Sequence, residues 1–239
     1  MNPTISSETP SATAVIVAAG KGVRMQSDTR KQYMTLGGLP ILARTLQTFD
    51  RCKAIRAIYL VVPGGDVQFC RDTILPEAET STPVQLVSGG AERKDSVYNG
   101  LLAADCKEEV VIIHDGVRPL ISPDQIETCI RVAAASGAGI LAIPVKDTLK
   151  RVHAGSDIEG TVQRESLWAA QTPQAFRYEV ILEAHQASGD HADGITDDAQ
   201  LVERMGRPVK IIPGSYLNLK ITTPEDLALA EAILSAGLI

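Results

Sequence analysis

A chain of 239 residues with 44% hydrophobic and 22% charged side chains can bury one substantial α/β core and is too apolar for wholesale disorder. Its net charge of −6 and isoelectric point near 5.3 exclude a general nucleic-acid or anionic-membrane binder, so any anionic ligand must meet locally placed cations. The four cysteines, Cys52, Cys70, Cys106 and Cys129, are scattered without a Cys-x-x-Cys pair, which predicts reduced thiols and neither a zinc site nor a disulfide framework.

Residues 1–11 are rich in Ser, Thr and Pro and lack the basic start and apolar middle of a signal peptide, so they read as a short disordered tail before a single domain over 12–239. No apolar run nears the roughly 20 residues of a membrane-spanning helix, and the expectation is a cytoplasmic protein. The run Ala14 to Val17 predicts a buried strand that breaks into Ala18-Ala19-Gly20-Lys21-Gly22-Val23-Arg24-Met25, with Lys31-Gln32-Tyr33 shortly after. A loop of this kind offers backbone amides and positive charge to a phosphate. It is not a dinucleotide fingerprint, because Met25 stands where a third glycine is needed and no ribose-binding acid follows about 20 residues on. Nor is it a Walker A loop, since no Gly-Lys-Ser or Gly-Lys-Thr closes it. Two readings stay open: a nucleoside triphosphate held by loop amides, with Arg24 and Lys31 as counter-charges, or a plain Gly-rich turn.

Apolar residues at spacings of three and four predict a helix over 40–49 that begins at Pro40. A strand over 55–62 ends at Pro63-Gly64-Gly65, a helix follows over 66–74, and 83–87 is a short strand. Ser88-Gly89-Gly90 forms a second Gly-rich turn ahead of a helix over 93–104; taken alone, the paired glycines fit a plain turn equally well. The β-branched run in 109–114 predicts a strand buried on both faces, which sets Asp115-Gly116-Val117-Arg118-Pro119 at the carboxyl edge of a parallel sheet, where open α/β folds bind ligands. A helix capped by Ser122 and a strand over 139–145 come next. From 146 to about 170 the pattern changes to short alternating pieces, 148–152 and 161–164, around a turn at 154–157, which predicts a β-hairpin or arm. Helices over 178–187 and 197–205, strands over 209–212 and 217–221, and a helix capped at Thr223-Pro224-Glu225-Asp226 complete the chain. Strands alternating with helices imply a three-layer, Rossmann-like α/β fold with a mostly parallel sheet and right-handed crossovers.

Several stretches together resemble the 2-C-methyl-D-erythritol 4-phosphate cytidylyltransferase family. They are Ala18 to Met25, Lys31-Gln32-Tyr33, Gly89-Gly90-Ala91-Glu92-Arg93-Lys94-Asp95-Ser96-Val97, His114 to Pro119, Pro144-Val145-Lys146-Asp147-Thr148, Gln171-Thr172-Pro173-Gln174 and Asn218-Leu219-Lys220-Ile221-Thr222. Two departures stand out: Gly116-Val117 replaces a frequent Ala-Ala, and Ala91 replaces a frequent acid, which weakens any side-chain contact there. The ribitol 5-phosphate cytidylyltransferases share the glycine loop, the Lys-Gln pair and a Val-Arg-Pro segment, and match less well around Val145 to Thr148 and Leu167-Trp168. A more distant alternative is a Rossmann-type nucleotide-binding protein without transferase activity.

The resemblance implies a nucleotide-diphospho-sugar-transferase-like fold and a cytidylyl transfer from CTP to a methylerythritol phosphate, with release of pyrophosphate and help from Mg²⁺. It implies that Arg24 and Lys31 stabilise the transition state, and that Ala18, Ala19, Gly20, Gly22, Gly89, Gly90 and Ser96 bind CTP. It further implies that Asp115, Arg118, Thr148, Arg164, Thr172 and Lys220 bind the acceptor, with Arg164 and Lys220 positioning the attacking phosphate and Asp115 near the metal. The arm over 146–170 would embrace a second subunit, so that Thr148 and Arg164 complete the partner's site in a homodimer. Apart from the motif, Arg93, Lys94 and Asp95 read as a solvated helix face, and Asp197-Asp198 as an acid-rich helix start. His114, His153, His185 and His191 lack metal-ligand spacing and read as surface or packed residues. No Gly-x-Ser-x-Gly elbow supports a hydrolase.

Overall fold

The computed structural model describes residues 9–20, 30–106, 108–153, 155–189 and 194–239. In chain order the elements are β1 (Ala12–Val17), β2 (Thr35–Leu36), β3 (Leu39–Pro40), α1 (Ile41–Asp50), β4 (Ile55–Val62), α2 (Val67–Phe69), α3 (Leu75–Ala78), β5 (Val84–Ser88), α4 (Arg93–Ala104), β6 (Val110–Asp115) and α5 (Pro123–Ser136). They continue with β7 (Ala138–Pro144), β8 (Leu149–Val152), β9 (Ile158–Val162), β10 (Trp168–Arg177), α6 (Tyr178–Ser188), α7 (Ala199–Arg204), β11 (Lys210–Pro213) and α8 (Pro224–Ser235). Of the expected tail, residues 1–8 lie outside the described residues; Ser11 donates its hydroxyl to the Glu108 carboxylate just before β1 begins.

Seven strands form one sheet in the order β11-β7-β10-β6-β1-β4-β5. Every pairing is parallel except those of β10, which runs antiparallel to both β6 and β7. The mostly parallel α/β sheet expected from the sequence is therefore present. Alternation along the central strands explains its two covered faces. Ala14, Ile16 and Ile112 point into one core with Leu42, Leu46 and Ile126, while Val15, Val111 and Ile113 point into the other with Val97, Leu101 and Val180. Gly100 lets α4 sit close on the sheet: a Cβ there would lie 2.5 Å from Val15 Cγ1 and 2.9 Å from Val61 Cγ2. After β1 the chain builds β4 and β5 on one side and then crosses to β6 on the other. The carboxyl ends of β1 and β6 thus form a switch-point crevice, the ordinary ligand site of such sheets.

A third apolar cluster joins Leu36, Ile41, Val117, Leu120, Ile221, Ala230 and Ile233, and fastens the C-terminal segment beside that crevice. It includes the small β2–β3 hairpin, whose turn residues Gly37 and Gly38 both have positive φ, +56° and +84°, as tight hairpin turns require.

Four expectations need correction. The helix expected over 66–74 is broken into a 3₁₀ turn (Gly64–Asp66), α2, a π turn (Cys70–Ile74) and α3. Pro76 has no N–H to give residue 72 and its ring crowds that carbonyl, and the widened turn absorbs the misfit. Residues 217–221 form no strand; Leu217, Leu219 and Ile221 alternate because they pack into the third cluster, not because they pair. β10 was not expected as a strand: Pro173 and the polar Gln171, Thr172 and Gln174 disguise it, and a register shift between Ala170 and Gln174 accommodates the break in its pairing with β7. The hairpin is present, but its second strand is Ile158–Val162, earlier than 161–164, and Trp168 to Ala170 already belong to β10. Leu149, Val152, Ile158 and Trp168 leave apolar surface exposed on and beside this hairpin.

Candidate active site

A cavity of about 330 Å³ opens at the switch point, within the range of roughly 300–1,000 Å³ usual for small-molecule sites. One wall is Ala18-Ala19-Gly20 at the end of β1. Gln32, itself 1% exposed, holds this wall by donating to the carbonyls of Ala18 (2.8 Å) and Gly20 (3.4 Å). The Ala18 N–H donates to Val61 O at 2.7 Å, so the loop leaves the sheet in a defined direction. Asp66 grips Arg30 (2.9 Å) and the hydroxyl of Tyr33 (2.9 Å), and Lys31 lines the cavity between them. Gly22 and Arg24 lie outside the described residues.

The opposite wall is the turn after β5. Gly89 and Gly90 are glycines for lack of space, not for left-handed backbone. A Cβ on Gly89 would lie 2.5 Å from Ala19 Cβ, and one on Gly90 2.3 Å from Asp95 Cβ. The two Gly-rich loops therefore meet directly. Ser96, 2% exposed, accepts from the Gly90 N–H (3.1 Å) and donates to Glu92 O (3.0 Å), closing the turn; Glu92 and Asp95 form a capping box at the start of α4.

Asp115, at the end of β6, forms the floor. Its Oδ2 lies 2.8 Å from Lys220 Nζ and 3.7 Å from Arg118 Nε, and its Oδ1 lies 3.4 Å from Arg93 Nε. Burial by itself would raise the carboxyl pKa, but Arg93, Lys220 and Arg118 outweigh it and hold Asp115 well below the usual carboxylate range. Lys220 is delivered by its neighbours: Ile221 is fully buried in the third cluster and donates its N–H to Val117 O at 2.9 Å. Arg118 donates to Asn218 O at 2.7 Å, which sets its Nε beside Asp115 Oδ2, so it braces Asp115 from behind the cavity.

A relay below Asp115 fixes the same turn. Thr172 Oγ1 accepts from the Asp115 N–H at 3.0 Å and lies 3.1 Å from His114 Nδ1, while His114 Nε2 lies 3.1 Å from Arg118 O. The carbonyl requires a proton on Nε2, and in the neutral ring that burial favours Nδ1 then accepts from the threonine hydroxyl. Burial pushes the His114 pKa down to about 3. Acidification from the ordinary value of 6.5 toward about 3 therefore puts a proton on the unfolded chain that the folded one does not bind, and stability falls through that window. The slope contributed by this group approaches about 1.4 kcal/mol per pH unit. Urea midpoints measured across mildly acid pH should show the decline, and a His114→Asn variant should flatten it.

The structure brings Ala18, Ala19, Gly20, Lys31, Gly90, Ser96, Asp115 and Lys220 to one cavity. Thr172 and Arg118 stand behind it. Thr148 and Arg164 do not reach it: both are exposed at the base of the β8–β9 hairpin, where Arg164 donates to Lys146 O. Sequence reasoning missed Arg93, which is no solvated cation but a bridge from Asp115 to the buried Asp198, 2.7 Å away. Its one signal was its place three residues after the paired glycines, at the start of α4. Among the described residues no cluster of three His, Cys, Asp or Glu side chains is arranged to hold a metal ion. With its oxygens already on Lys220 and Arg93, Asp115 would offer a metal ion at most one protein ligand, which is compatible only with an ion such as Mg²⁺ that brings phosphate and water ligands with it.

An open, mostly parallel sheet with amide-lined loops and converging cations at its switch point defines a nucleotide-processing α/β enzyme. The family model for 2-C-methyl-D-erythritol 4-phosphate cytidylyltransferase (IspD) matches residues 12–236, and the chain belongs to that family of nucleotidyltransferases. It is 48% identical to the 2-C-methyl-D-erythritol 4-phosphate cytidylyltransferase of Pelotomaculum thermopropionicum over 223 residues, covering 93% of this chain and 94% of the relative. Its fold matches 4-diphosphocytidyl-2C-methyl-D-erythritol synthase of Anaerococcus prevotii with a TM-score of 0.82 at 35% identity, covering 95% of this chain and 97% of the other. The 2-C-methyl-D-erythritol 4-phosphate cytidylyltransferase of Thermus thermophilus superposes with a TM-score of 0.78 at 31% identity, covering 94% and 99%. This membership does not favour the ribitol phosphate enzyme or a nucleotide-binding protein without transferase activity.

Proposed function

We propose that the chain transfers the cytidylyl group of CTP to 2-C-methyl-D-erythritol 4-phosphate, releasing pyrophosphate, in the non-mevalonate route to isoprenoid precursors. The observation that carries this reading is the cavity in which the Ala18-Ala19-Gly20 loop and the turn at Gly90 face the Asp115–Lys220 pair across a single space. Joining a phosphate monoester to the α-phosphorus of CTP brings two anions together, so the task is alignment and charge dispersal, with no covalent enzyme intermediate required. Ala18, Gly89, Gly90 and Ser96 take the cytosine, using backbone donors and acceptors. Ala19, Gly20 and Gly22 supply amides to the phosphates, and Arg24 and Lys31 counter the charge that grows on the phosphoryl oxygens.

Lys220 and Arg164 orient the attacking phosphate; Asp115, Thr148, Thr172 and Arg118 shape the acceptor site. Asp115 would face a Mg²⁺ ion carried in with the CTP phosphates, and the ion would supply further charge neutralisation. The exposed apolar side chains of the hairpin support a homodimer in which Thr148 and Arg164 serve the partner's cavity. The free cysteines fit a reducing compartment, the cytoplasm. Incubation with CTP, Mg²⁺ and either methylerythritol phosphate or ribitol phosphate tests the reading. Pyrophosphate should appear with the first acceptor, and release with neither would overturn it.

A further inference from the structure

Asp198 occupies the N-cap position of α7, yet it makes no cap hydrogen bond and is 1% exposed. Its Oδ2 lies 2.7 Å from Arg93 Nη1, and its Oδ1 lies 3.4 Å from Nε2 of the buried His185. The His185 ring stacks on Tyr98, with centroids 5.8 Å apart, and covers this side of the carboxylate. The backbone is held too: the N–H groups of Asp198 and Ala199 both donate to Gln174 Oε1 at 3.1 Å, and Gln174 Nε2 donates to Asp197 Oδ2 at 2.8 Å. Gln174 lies two residues from Thr172 on β10, so one strand fixes both the Asp115 amide and Asp198. A carboxylate this buried is retained only when it is paired, and its pairing here is directed at a side chain that lines the cavity.

Arg93 is shared unequally, at 2.7 Å from Asp198 and 3.4 Å from Asp115. We infer that Asp198 is a positioning residue for the cytidylyl-transfer site, acting through Arg93; the inference rests on the reaction proposed above. By engaging most of the Arg93 charge, Asp198 leaves the Asp115 oxygens to Lys220. Without it, Asp115 is the remaining carboxylate within ion-pair reach of Arg93 among the described residues. The guanidinium then moves onto the oxygens that orient Lys220, and the ammonium loses the place from which it meets the acceptor phosphate. Asp198 itself does not line the cavity, which separates this role from substrate contact.

The test compares wild type, Asp198→Asn, Arg93→Gln and the double variant in steady-state pyrophosphate release with CTP, Mg²⁺ and methylerythritol phosphate. Asp198→Asn should lower kcat about ten- to a hundredfold, the scale of a misplaced reacting group, with KM for CTP changed less than about threefold. The double variant should turn over no more slowly than Arg93→Gln, because the second change removes a residue whose target is already gone. Multiplying losses in the double variant, or an Asp198→Asn enzyme within about twofold of wild type, would overturn the inference. Should Asp198→Asn fail to fold, as a thermal melt would reveal, the comparison of the double variant with Arg93→Gln decides, since there both members of the pair are neutral. A wild-type enzyme inactive with every acceptor overturns the reaction and this role together. An active wild type with an unimpaired Asp198→Asn removes this role alone.

Discussion

Replacing Lys220 with methionine should lower kcat by about 10²–10³, the loss of roughly 3–4 kcal/mol that follows removal of one preorganised electrostatic partner of a transition state. The ammonium sits 2.8 Å from Asp115 Oδ2, on a segment anchored by the fully buried Ile221. The backbone cannot drift, so the charge is fixed before any substrate arrives. Methionine keeps most of the side-chain length and removes the charge. Asp115 retains Arg93 at 3.4 Å and Arg118 at 3.7 Å, and the Lys220 side chain is 38% exposed, so the buried carboxylate is not orphaned and the fold persists. Because the lost interaction strengthens as charge develops, kcat and kcat/KM should fall together while the melting temperature shifts little. Parallel kinetics and calorimetry check this. A variant that keeps wild-type turnover, or one whose inactivity tracks unfolding, would assign Lys220 another role.

The second large effect concerns the β8–β9 hairpin. Arg164 and Thr148 are exposed at its base, away from their own chain's cavity, and Val152 and Ile158 leave 56% and 64% of their surfaces open. If the hairpin reaches a neighbour, a Lys220→Met chain and an Arg164→Ala chain are each inactive as homodimers but complement each other when co-expressed. A hybrid has one cavity carrying both defects and one carrying neither. Random pairing of equal amounts then restores about a quarter of wild-type activity, because half of the dimers are hybrids with one intact site of two. No recovery would mean that Arg164 serves its own chain. Truncating the hairpin should abolish both dimer and activity, and an active monomer would count against the arrangement.

The sheet was legible because its central strands are buried on both faces: Val110 to Ile113 read as a strand and nothing else, and the caps at Ser122 and Thr223 form as expected. β10 was not legible, because in that central strand the sequence serves the site instead of the pleat. Thr172 holds the Asp115 amide and Gln174 holds the start of α7, both polar choices that erase strand alternation. Leu217 to Ile221 erred the other way, with alternation produced by packing without pairing.

The site divides similarly. Asp115 and Lys220 could be named from ordered motifs, and the structure brings them within 2.8 Å of each other. Arg93 looked like a helix-surface cation because its anchor, Asp198, is 105 residues away, a distance that no local pattern bridges. His114 read as a surface or packed residue and is fully buried; its three-part relay through Thr172 and Arg118 depends on β6 and β10 being neighbours, which the sequence did not disclose.

The most direct measurement follows phosphorus through one reaction. With CTP, methylerythritol phosphate, Mg²⁺ and the enzyme, ³¹P NMR should show the CTP α-phosphorus moving into a new pyrophosphate linkage with the acceptor phosphate. One inorganic pyrophosphate should form for each linkage made. Unchanged CTP, or CMP and pyrophosphate without the linked product, would contradict a cavity built to join these two anions.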